Sequence, residues 1–277
     1  MTTPIVLPWP LQSFLEAVAQ AVLEPPDRPQ IDFSRPIGEA GLVASDSVSW
    51  RVFKNPLSLF IGGVTAVILE LAEPRVRTGV WEHTSFRQNP IRRLHSTGLA
   101  AMVTIYGSHT TAEAMIARVR RIHDRVAGVT SSGERYCAND PDLLNWVQAT
   151  AAYGFVQAYH VYVQQLSALE RDRCYAEGAP AARLFGVPGA PGSEAELEAL
   201  FHATAGRLER SAIVLEFLAI MRSAPILPLP LRPAQHLLVA AAVDLVPYRV
   251  QALLGLTGHG LRTWEVAAVR QAGVPGK

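Results

Sequence analysis

The stretch "NPLSLFIGGVTAVILEL", residues 55–71, decides the fold class, because it predicts one long helix buried in a protein core. It opens on asparagine and proline, which are preferred at the N-cap and in the first turn of a helix. Apolar side chains then recur at spacings of three and four, the period of one helix face; these are Phe60, Val64, Val67, Ile68 and Leu71. The uncharged run is shorter than the ~20 residues that cross a bilayer, so it predicts a core helix.

Two adjacent glycines, Gly62 and Gly63, interrupt this helix. A glycine inside a helix costs on the order of 1 kcal/mol relative to alanine. The close approach of another helix, or of a flat ligand, would explain the pair, and the sequence leaves both explanations open.

The same 3.6-residue period recurs along most of the chain, whereas the two-residue alternation of half-buried strands is hard to find. We therefore predict an all-α fold in which residues 1–277 form a single globular domain of many helices. Helices are expected over 10–24, 55–71, 90–106, 111–127, 141–166 and 167–185, twice between 193 and 222, and over 235–256. The segments expected without regular structure are the N-terminal arm 26–48, the loops 73–88 and 186–192, the proline-rich crossover 223–233 and the C-terminal tail that follows the last helix to residue 277.

Capping residues set several of these boundaries. Asn89 and Asp140 are each followed by proline, the N-cap pattern of the first segment. Thr110 and Ser193 each precede a glutamate by three residues, the spacing of a capping box. Pro74 is expected to end the first buried helix, and the glycine at 128 is expected to be the C-cap of the helix that Thr110 opens.

Composition excludes several classes of protein. With 49% hydrophobic and 18% charged residues, the chain can bury a sizeable core, and a net charge of +1 gives no field that would attract nucleic acid. Cys137 and Cys174 show no close spacing, which argues against a disulfide framework and a cysteine-built zinc site. The first residues lack the pattern of an export signal, so we expect a soluble, cytoplasmic protein without a transmembrane segment.

His123 is the polar residue that bears most on function. Its helix carries an apolar stripe at spacings of three and four, and His123 falls on that stripe; the stripe is formed by Met115, Ile116, Val119, Ile122 and Val126. We therefore expect the imidazole to be buried or to line a pocket. It could be a hydrogen-bonded core residue, and a neutral imidazole on an apolar face is also what an axial haem ligand requires.

Other polar residues accompany it on the neighbouring predicted helices. Arg93 and Thr97 are four residues apart and so share a helix face. They could form an ordinary side-chain pair, polarise an oxygen species or fix an anionic group. Gln148 lies within the apolar stripe of the long helix that starts after Asp140, and a buried amide needs hydrogen-bond partners.

The spacings of other helical and catalytic sites do not occur. No Glu-x-x-His is present, so a carboxylate-bridged di-iron bundle lacks its usual ligands. There is no His-Glu-x-x-His, no Gly-x-Ser-x-Gly, no phosphate-binding loop and no dinucleotide fingerprint.

Three ordered blocks, "NPIRRLHSTG" (89–98), "EAMIARVRRIHDRVAG" (113–128) and "ERYCANDPDLLNWVQAT" (134–150), resemble the MpaB/rubber oxygenase catalytic domain family. The similarity covers about residues 55–246 and includes "GVWEHTSF" and "LFGVP". The resemblance implies an all-helical, globin-reminiscent core that holds haem b. It also implies an oxygenase that uses O2 on a small apolar, unsaturated substrate of isoprenoid or lipid type, including cleavage of carbon–carbon double bonds.

The resemblance also implies roles for individual residues. His123 is similar in position to the proximal histidine that ligates the iron, and Arg93 and Thr97 match the arginine and threonine on the distal side. Glu82 is the nearest candidate for the upstream glutamate that rubber oxygenases use as a base, although its spacing does not match well. His83 is the second choice for that base.

This chain departs from the family pattern at two positions. Rubber oxygenases carry a lysine directly before the distal threonine that can occupy the iron, whereas this chain has Ser96 there, so that closed state should be unavailable. Many relatives have a histidine where this chain has Gln148, which we place among the expected cofactor-binding residues. Altered activity is therefore one expectation.

Two other functions stay open on the sequence. The first is a haem-binding or sensing protein without turnover, and the second is a helical protein that binds an apolar ligand without haem. The predicted helix at 235–256 could cover a pocket, meet a partner or touch a membrane surface, and its pattern does not choose among these.

Overall fold

The computed structural model describes residue 33 and residues 36–273, and this part of the chain is mostly helical. Its α-helices are α1 (Val48–Phe53), α2 (Pro56–Glu70), α3 (Pro74–His83), α4 (Pro90–Tyr106), α5 (His109–His123), α6 (Pro141–Tyr162), α7 (Ala168–Glu177), α8 (Ala179–Phe185), α9 (Glu194–Thr204), α10 (Ala212–Ser223), α11 (Arg232–Leu245), α12 (Tyr248–Leu254) and α13 (Thr263–Gly273). Two short 3₁₀ turns occupy Ala205–Arg207 and Leu229–Leu231. The predicted all-α fold of one globular domain is confirmed, while the expected helix at 10–24 lies outside the described residues.

Helices α2 and α6 cross at the centre of the core, and they cross at glycines. A Cβ atom on Gly62 would lie 2.7 Å from Phe155 Cα and 2.8 Å from the carbonyl oxygen of Gly154. Side chains cannot occupy that space, so Gly62 permits the two backbones to meet. Close helix packing, one of the two explanations left open by the sequence, accounts for this glycine, whereas a Cβ on Gly63 would have its nearest neighbour at 3.9 Å, in Phe155.

Buried hydrogen bonds tie α6 and α11 to α2. The indole Nε1 of Trp146 donates to the carbonyl oxygen of Leu69 at 3.2 Å. The hydroxyl of Thr65 donates to the carbonyl oxygen of Ala242 at 3.0 Å. Because these polar groups are paired inside the core, the three helices form a rigid frame for the residues at their ends.

The three N-caps predicted from asparagine or aspartate before proline are confirmed. The Asn55 side chain accepts from two backbone N–H groups of the first turn of α2, and Asn89 and Asp140 cap α4 and α6 in the same way. Ser193 caps α9, but the Glu196 carboxylate accepts from the N–H of Gly192 rather than from the N-cap, so only half of that capping box is present.

The capping box predicted at Thr110 is wrong. Ser108 is the N-cap of α5, and its hydroxyl accepts from the N–H of Thr111. The hydroxyl and N–H of Thr110 instead donate to the Glu39 carboxylate in the preceding segment. A contact distant in sequence therefore replaces the local one.

The segment 73–88, predicted to be a loop, contains helix α3. Glu73 is its N-cap and accepts from the N–H of Val76, and Pro74 is its first residue. Proline ends a helix that reaches it but also suits the first turn of a new helix. The prediction treated Pro74 only as the end of a helix, whereas in the structure it is the first residue of α3.

The chain after α5 forms a hairpin that the periodicity did not predict. Strands β1 (Ala127–Val129) and β2 (Arg135–Cys137) pair in antiparallel register. Gly128, predicted as a helix C-cap, lies in β1 opposite Tyr136, and a Cβ there would be 2.7 Å from the Tyr136 hydroxyl oxygen. A residue with a Cβ at position 128 would therefore clash with the Tyr136 side chain. The hairpin was not predicted because strands of three residues are too short to show a two-residue alternation.

Several predicted helices are shorter than expected or divided. Helix α6 ends at Tyr162, and the expected helix at 167–185 is divided into α7 and α8 at Gly178. The expected helix at 235–256 is two helices, because Pro247 lacks an N–H and the chain bends there by 112°. Within the described part of the chain no single helix has the length and hydropathy of a membrane span; two bent pairs, α2 with α3 and residues 229–245 with α12, meet that test only when joined.

Candidate functional site

His123 is the last residue of α5 and is half-buried. At ~100° per residue, it lies only about 20° around the helix from Ile116, which is buried. Ile122 lies about 120° from Ile116 and is 55% exposed. The prediction that Ile122 lies on the inward stripe is therefore wrong. The arginines flanking His123 are exposed, as predicted, at Arg118, Arg121 and Arg125.

The imidazole of His123 has an unsatisfied nitrogen. Its Nδ1 atom is buried and has no hydrogen-bond partner among the described residues. Burial, followed by the positive charge of Arg93, lowers the pKa of His123, while Asn139 and Asp124 oppose that shift. The ring is therefore neutral at pH 7, which is the form that binds a metal.

Arg93 and Thr97 lie together at the start of α4. A terminal guanidinium nitrogen of Arg93 donates to the Thr97 hydroxyl oxygen at 2.6 Å, and that hydroxyl donates to the Arg93 carbonyl at 3.0 Å. The prediction that the two share one helix face is confirmed. Burial lowers the pKa of Arg93, and Glu70 partly offsets the shift.

Glu70 is the acidic residue that the sequence reasoning missed. It is the last residue of α2, and burial raises its pKa to about 7 although Arg93 acts in the opposite direction. Glu70 and Arg93 are half-buried and each shifts the pKa of the other, so the two side chains lie near each other; we call the partly accessible surface of Glu70, Arg93 and His123 the recess. One signal in the sequence was available, because Glu70 is the only charged residue in the stretch 55–71.

The three residues of the recess come from the end of α2, the start of α4 and the end of α5. Glu70 interacts electrostatically with Arg93, and Arg93 interacts with His123. Arg93 therefore interacts both with an acid whose pKa is near neutrality and with a neutral imidazole. Such a combination can bind an anionic or polar group and exchange a proton with it.

Glu82 and His83, the two predicted bases, lie at a different place. Both are exposed at the end of α3, and His83 Nε2 is 3.1 Å from the hydroxyl oxygen of Tyr136. Burial and the negative charge of Glu82 raise the pKa of Tyr136. Within residues 36–273, no hydrogen bond or ion pair joins this group to Arg93.

Gln148 and Ser96 are the two positions at which the sequence is expected to differ from the pattern that it resembles. Gln148 is half-buried in α6, and its amide makes no hydrogen bond to another described residue. The Ser96 hydroxyl donates to the carbonyl oxygen of Arg92 at 2.8 Å, so it is used within its own helix. Neither side chain brings a cation or an imidazole to the recess.

The side chains of the recess are of the types that can hold a haem. A neutral histidine whose ring is partly accessible suits axial ligation, and the guanidinium of Arg93 suits an acidic or oxygen-bearing group. Among the described residues, no group of three or more His, Cys, Asp or Glu could hold a bare metal ion. A cavity of about 660 Å³ lies elsewhere, between residues 36–46 and the side chains of Trp50 and Tyr106, and includes none of the predicted site residues.

Comparison with known proteins gives one match. The family described as "ER-bound oxygenase mpaB/B'/Rubber oxygenase, catalytic domain" matches residues 50–274, a span that contains every residue of the recess. Comparisons with curated proteins and with solved structures gave no match.

Proposed function

The chain belongs to the MpaB/rubber oxygenase catalytic domain family, and from this premise we propose that it is a haem-b-dependent oxygenase. Its substrates would be O2 and a small apolar, unsaturated molecule of isoprenoid or lipid type. Membership supports an enzyme of the oxygenase class. The observation that carries the haem proposal is His123, a neutral, half-buried imidazole on which the charge of Arg93 acts.

His123 would hold the haem iron through one ring nitrogen. Its position at the end of α5 keeps the ring partly accessible, while burial and Arg93 keep it neutral. The haem, when bound, supplies the chemistry that activates O2. The protein would contribute the orientation of the ring and the exclusion of water around it.

Arg93 would bind and orient the polar group that enters the recess. Its bond to Thr97 fixes one guanidinium nitrogen, so the remaining N–H donors keep a defined direction. A cation removed from bulk water interacts strongly with a developing negative charge, which makes Arg93 a candidate for charge stabilisation. Thr97 would act through the arginine and through its own hydroxyl.

Glu70 would hold or transfer the proton. A carboxyl with a pKa of about 7 is present in both protonation states near neutrality, which suits general acid–base catalysis. The family resemblance suggested Glu82 for this role, with His83 as second choice. Both side chains are exposed to solvent, and His83 contacts Tyr136. The enclosed position next to Arg93 favours Glu70 for this role.

Gln148 favours a second candidate function, a haem-binding or sensing protein without turnover. Many relatives carry a histidine at this position, and a glutamine has no group that titrates near neutral pH. If that histidine is needed for turnover, this chain would keep the haem and lose the reaction.

Oxygen consumption by the hemin-reconstituted protein separates these functions. We expect O2 uptake and carbonyl products with a polyisoprene or a polyunsaturated lipid, and a loss of ~10²–10⁴-fold in rate for Glu70→Gln against little loss for Glu82→Gln. Stable hemin binding that depends on His123, with no O2 uptake across these substrates, would favour the binder. A protein that binds such lipids but shows no His123-dependent hemin spectrum would be the haem-free apolar-ligand protein.

A further inference from the structure

Asn139, next to the N-cap of α6, reaches across to the end of α5. Its Nδ2 donates to the carbonyl oxygen of Arg120 at 3.0 Å and to Asp124 Oδ1 at 2.7 Å. Both partners are acceptors, so only the NH2 end of the amide can face them. The orientation of the amide is therefore fixed, and its oxygen points away from these two groups.

That oxygen and the nitrogen of His123 are both unsatisfied. Asn139 Oδ1 and His123 Nδ1 are buried, and neither has a hydrogen-bond partner in the part of the chain that the structure describes. Leaving a buried polar atom unpaired costs about 1–3 kcal/mol, so two such atoms on neighbouring side chains call for an explanation.

The two side chains are neighbours. The Asn139 amide shifts the pKa of His123 upward, in the direction expected for an oxygen that faces an imidazole N–H, although no bond of normal length and angle is formed. An Nδ1–H donor and an Oδ1 acceptor are complementary, so the two unsatisfied atoms are suited to pair with each other.

We propose that Asn139 is the positioning residue of His123: its Oδ1 accepts the Nδ1 proton of the imidazole and leaves Nε2 for the haem iron. Histidines that ligate metals donate their other N–H to an oxygen acceptor, which sets the tautomer and the plane of the ring. This inference rests on the proposed haem function. It assigns to the "AND" segment, residues 138–140, a role beyond capping α6.

The bonds to Arg120 and Asp124 explain why this asparagine is suited to the task. They anchor the amide to the same helix end that carries His123, so the acceptor and the ring move together. The side chain of Asp124 itself is exposed and already accepts from Asn139, which leaves Asn139 as the buried acceptor.

The test uses the full chain with hemin as the probe. Hemin affinity is measured from the Soret absorbance, and the iron–histidine stretching frequency of the reduced protein is measured by resonance Raman spectroscopy. The test variant is Asn139→Leu, which removes the acceptor at similar size. Asp142→Ala is the control, because the exposed Asp142 side chain lies on the first turn of α6 and, among the described residues, makes no hydrogen bond to Asn139 or His123. His123→Ala reports on the ligand itself.

We expect Asn139→Leu to weaken hemin binding by about 10–100-fold and to lower the stretching frequency. Asp142→Ala should leave both the affinity and the frequency unchanged. If Asn139→Leu keeps both the affinity and the frequency of the parent protein while His123→Ala loses ligation, the positioning role is wrong and the proposed haem function stands. If His123→Ala binds hemin with the parent spectrum, the proposed haem function fails and this inference fails with it.

Discussion

The carboxyl group of Glu70 and the guanidinium of Arg93 lie in one recess where α2 ends and α4 begins, and each shifts the pKa of the other. At both groups burial is the larger effect, so the loss of hydration outweighs the mutual attraction. Within residues 36–273, no direct ion pair joins the two side chains, so their attraction acts over a distance. The fold therefore holds a destabilised acid near Arg93, the cation that also acts on His123.

The protonation of Glu70 should make stability depend on pH. Its pKa is about 7 in the folded protein and near 4.5 when unfolded, so between these values the folded state holds a proton that the unfolded state has released. The free energy of unfolding should then fall as pH rises from 4.5 to 7, by at most about 1.4 kcal/mol per pH unit. Glu70→Gln should remove this dependence.

Urea unfolding of the hemin-free protein checks this at pH 5 and pH 8. Glu70→Gln should match the parent at pH 5 and exceed its stability at pH 8 by up to about 3 kcal/mol. The exposed Glu198 on α9 provides the control, since Glu198→Gln should have the same small effect at both pH values. A Glu70→Gln variant less stable than the parent at pH 8 would contradict the buried-acid account.

The positive charge of Arg93 should lower the pKa of His123. A nearby cation disfavours protonation, so Arg93→Met should raise the pKa of His123, while the contribution of burial remains. The imidazole resonances of the hemin-free protein, followed by NMR against pH, report this directly. Arg92→Met is the control, because Arg92 is exposed on the same helix turn and should shift the pKa much less. Equal shifts in the pKa of His123 for the two variants would show that Arg93 has no specific effect on this imidazole.

The two central glycines should respond in opposite directions. Gly62→Ala places a Cβ 2.7 Å from Phe155 Cα, a backbone atom that cannot move aside, so we expect a loss of about 1–3 kcal/mol in the free energy of unfolding. Gly63→Ala meets its nearest atom at 3.9 Å and removes a helix-interior glycine, so we expect a gain of about 0.5–1 kcal/mol. Chemical denaturation of both variants at one pH measures this, and a destabilised Gly63→Ala would show that both glycines serve close packing.

Much of the fold could be predicted because its signals are local. Asparagine or aspartate before proline located the starts of α2, α4 and α6, and helical phasing placed Ile116 inward with His123 half-buried beside it. The hairpin carried no such signal, and Thr110 bonds to Glu39, which is far away in sequence.

The recess was harder to predict, since it depends on which helix ends meet. No residue near Glu70 in the sequence indicates that Arg93 lies close to it. The raised pKa of the Glu70 carboxyl group depends on how the helices pack around it. Arg93 and Thr97 could be paired because they are four residues apart on one helix. The roles of His123, Glu82, His83 and Gln148 stay predictions.

Hemin titration of the purified full chain tests the central proposal most directly. His109 offers a matched control, because it lies on α5 like His123 but is exposed at the opposite end of that helix. We predict that the parent and His109→Ala bind hemin with the same shifted Soret band, and that His123→Ala loses that band shift. A His123→Ala variant that binds hemin with the parent affinity and spectrum would contradict the assignment of His123 as the haem ligand.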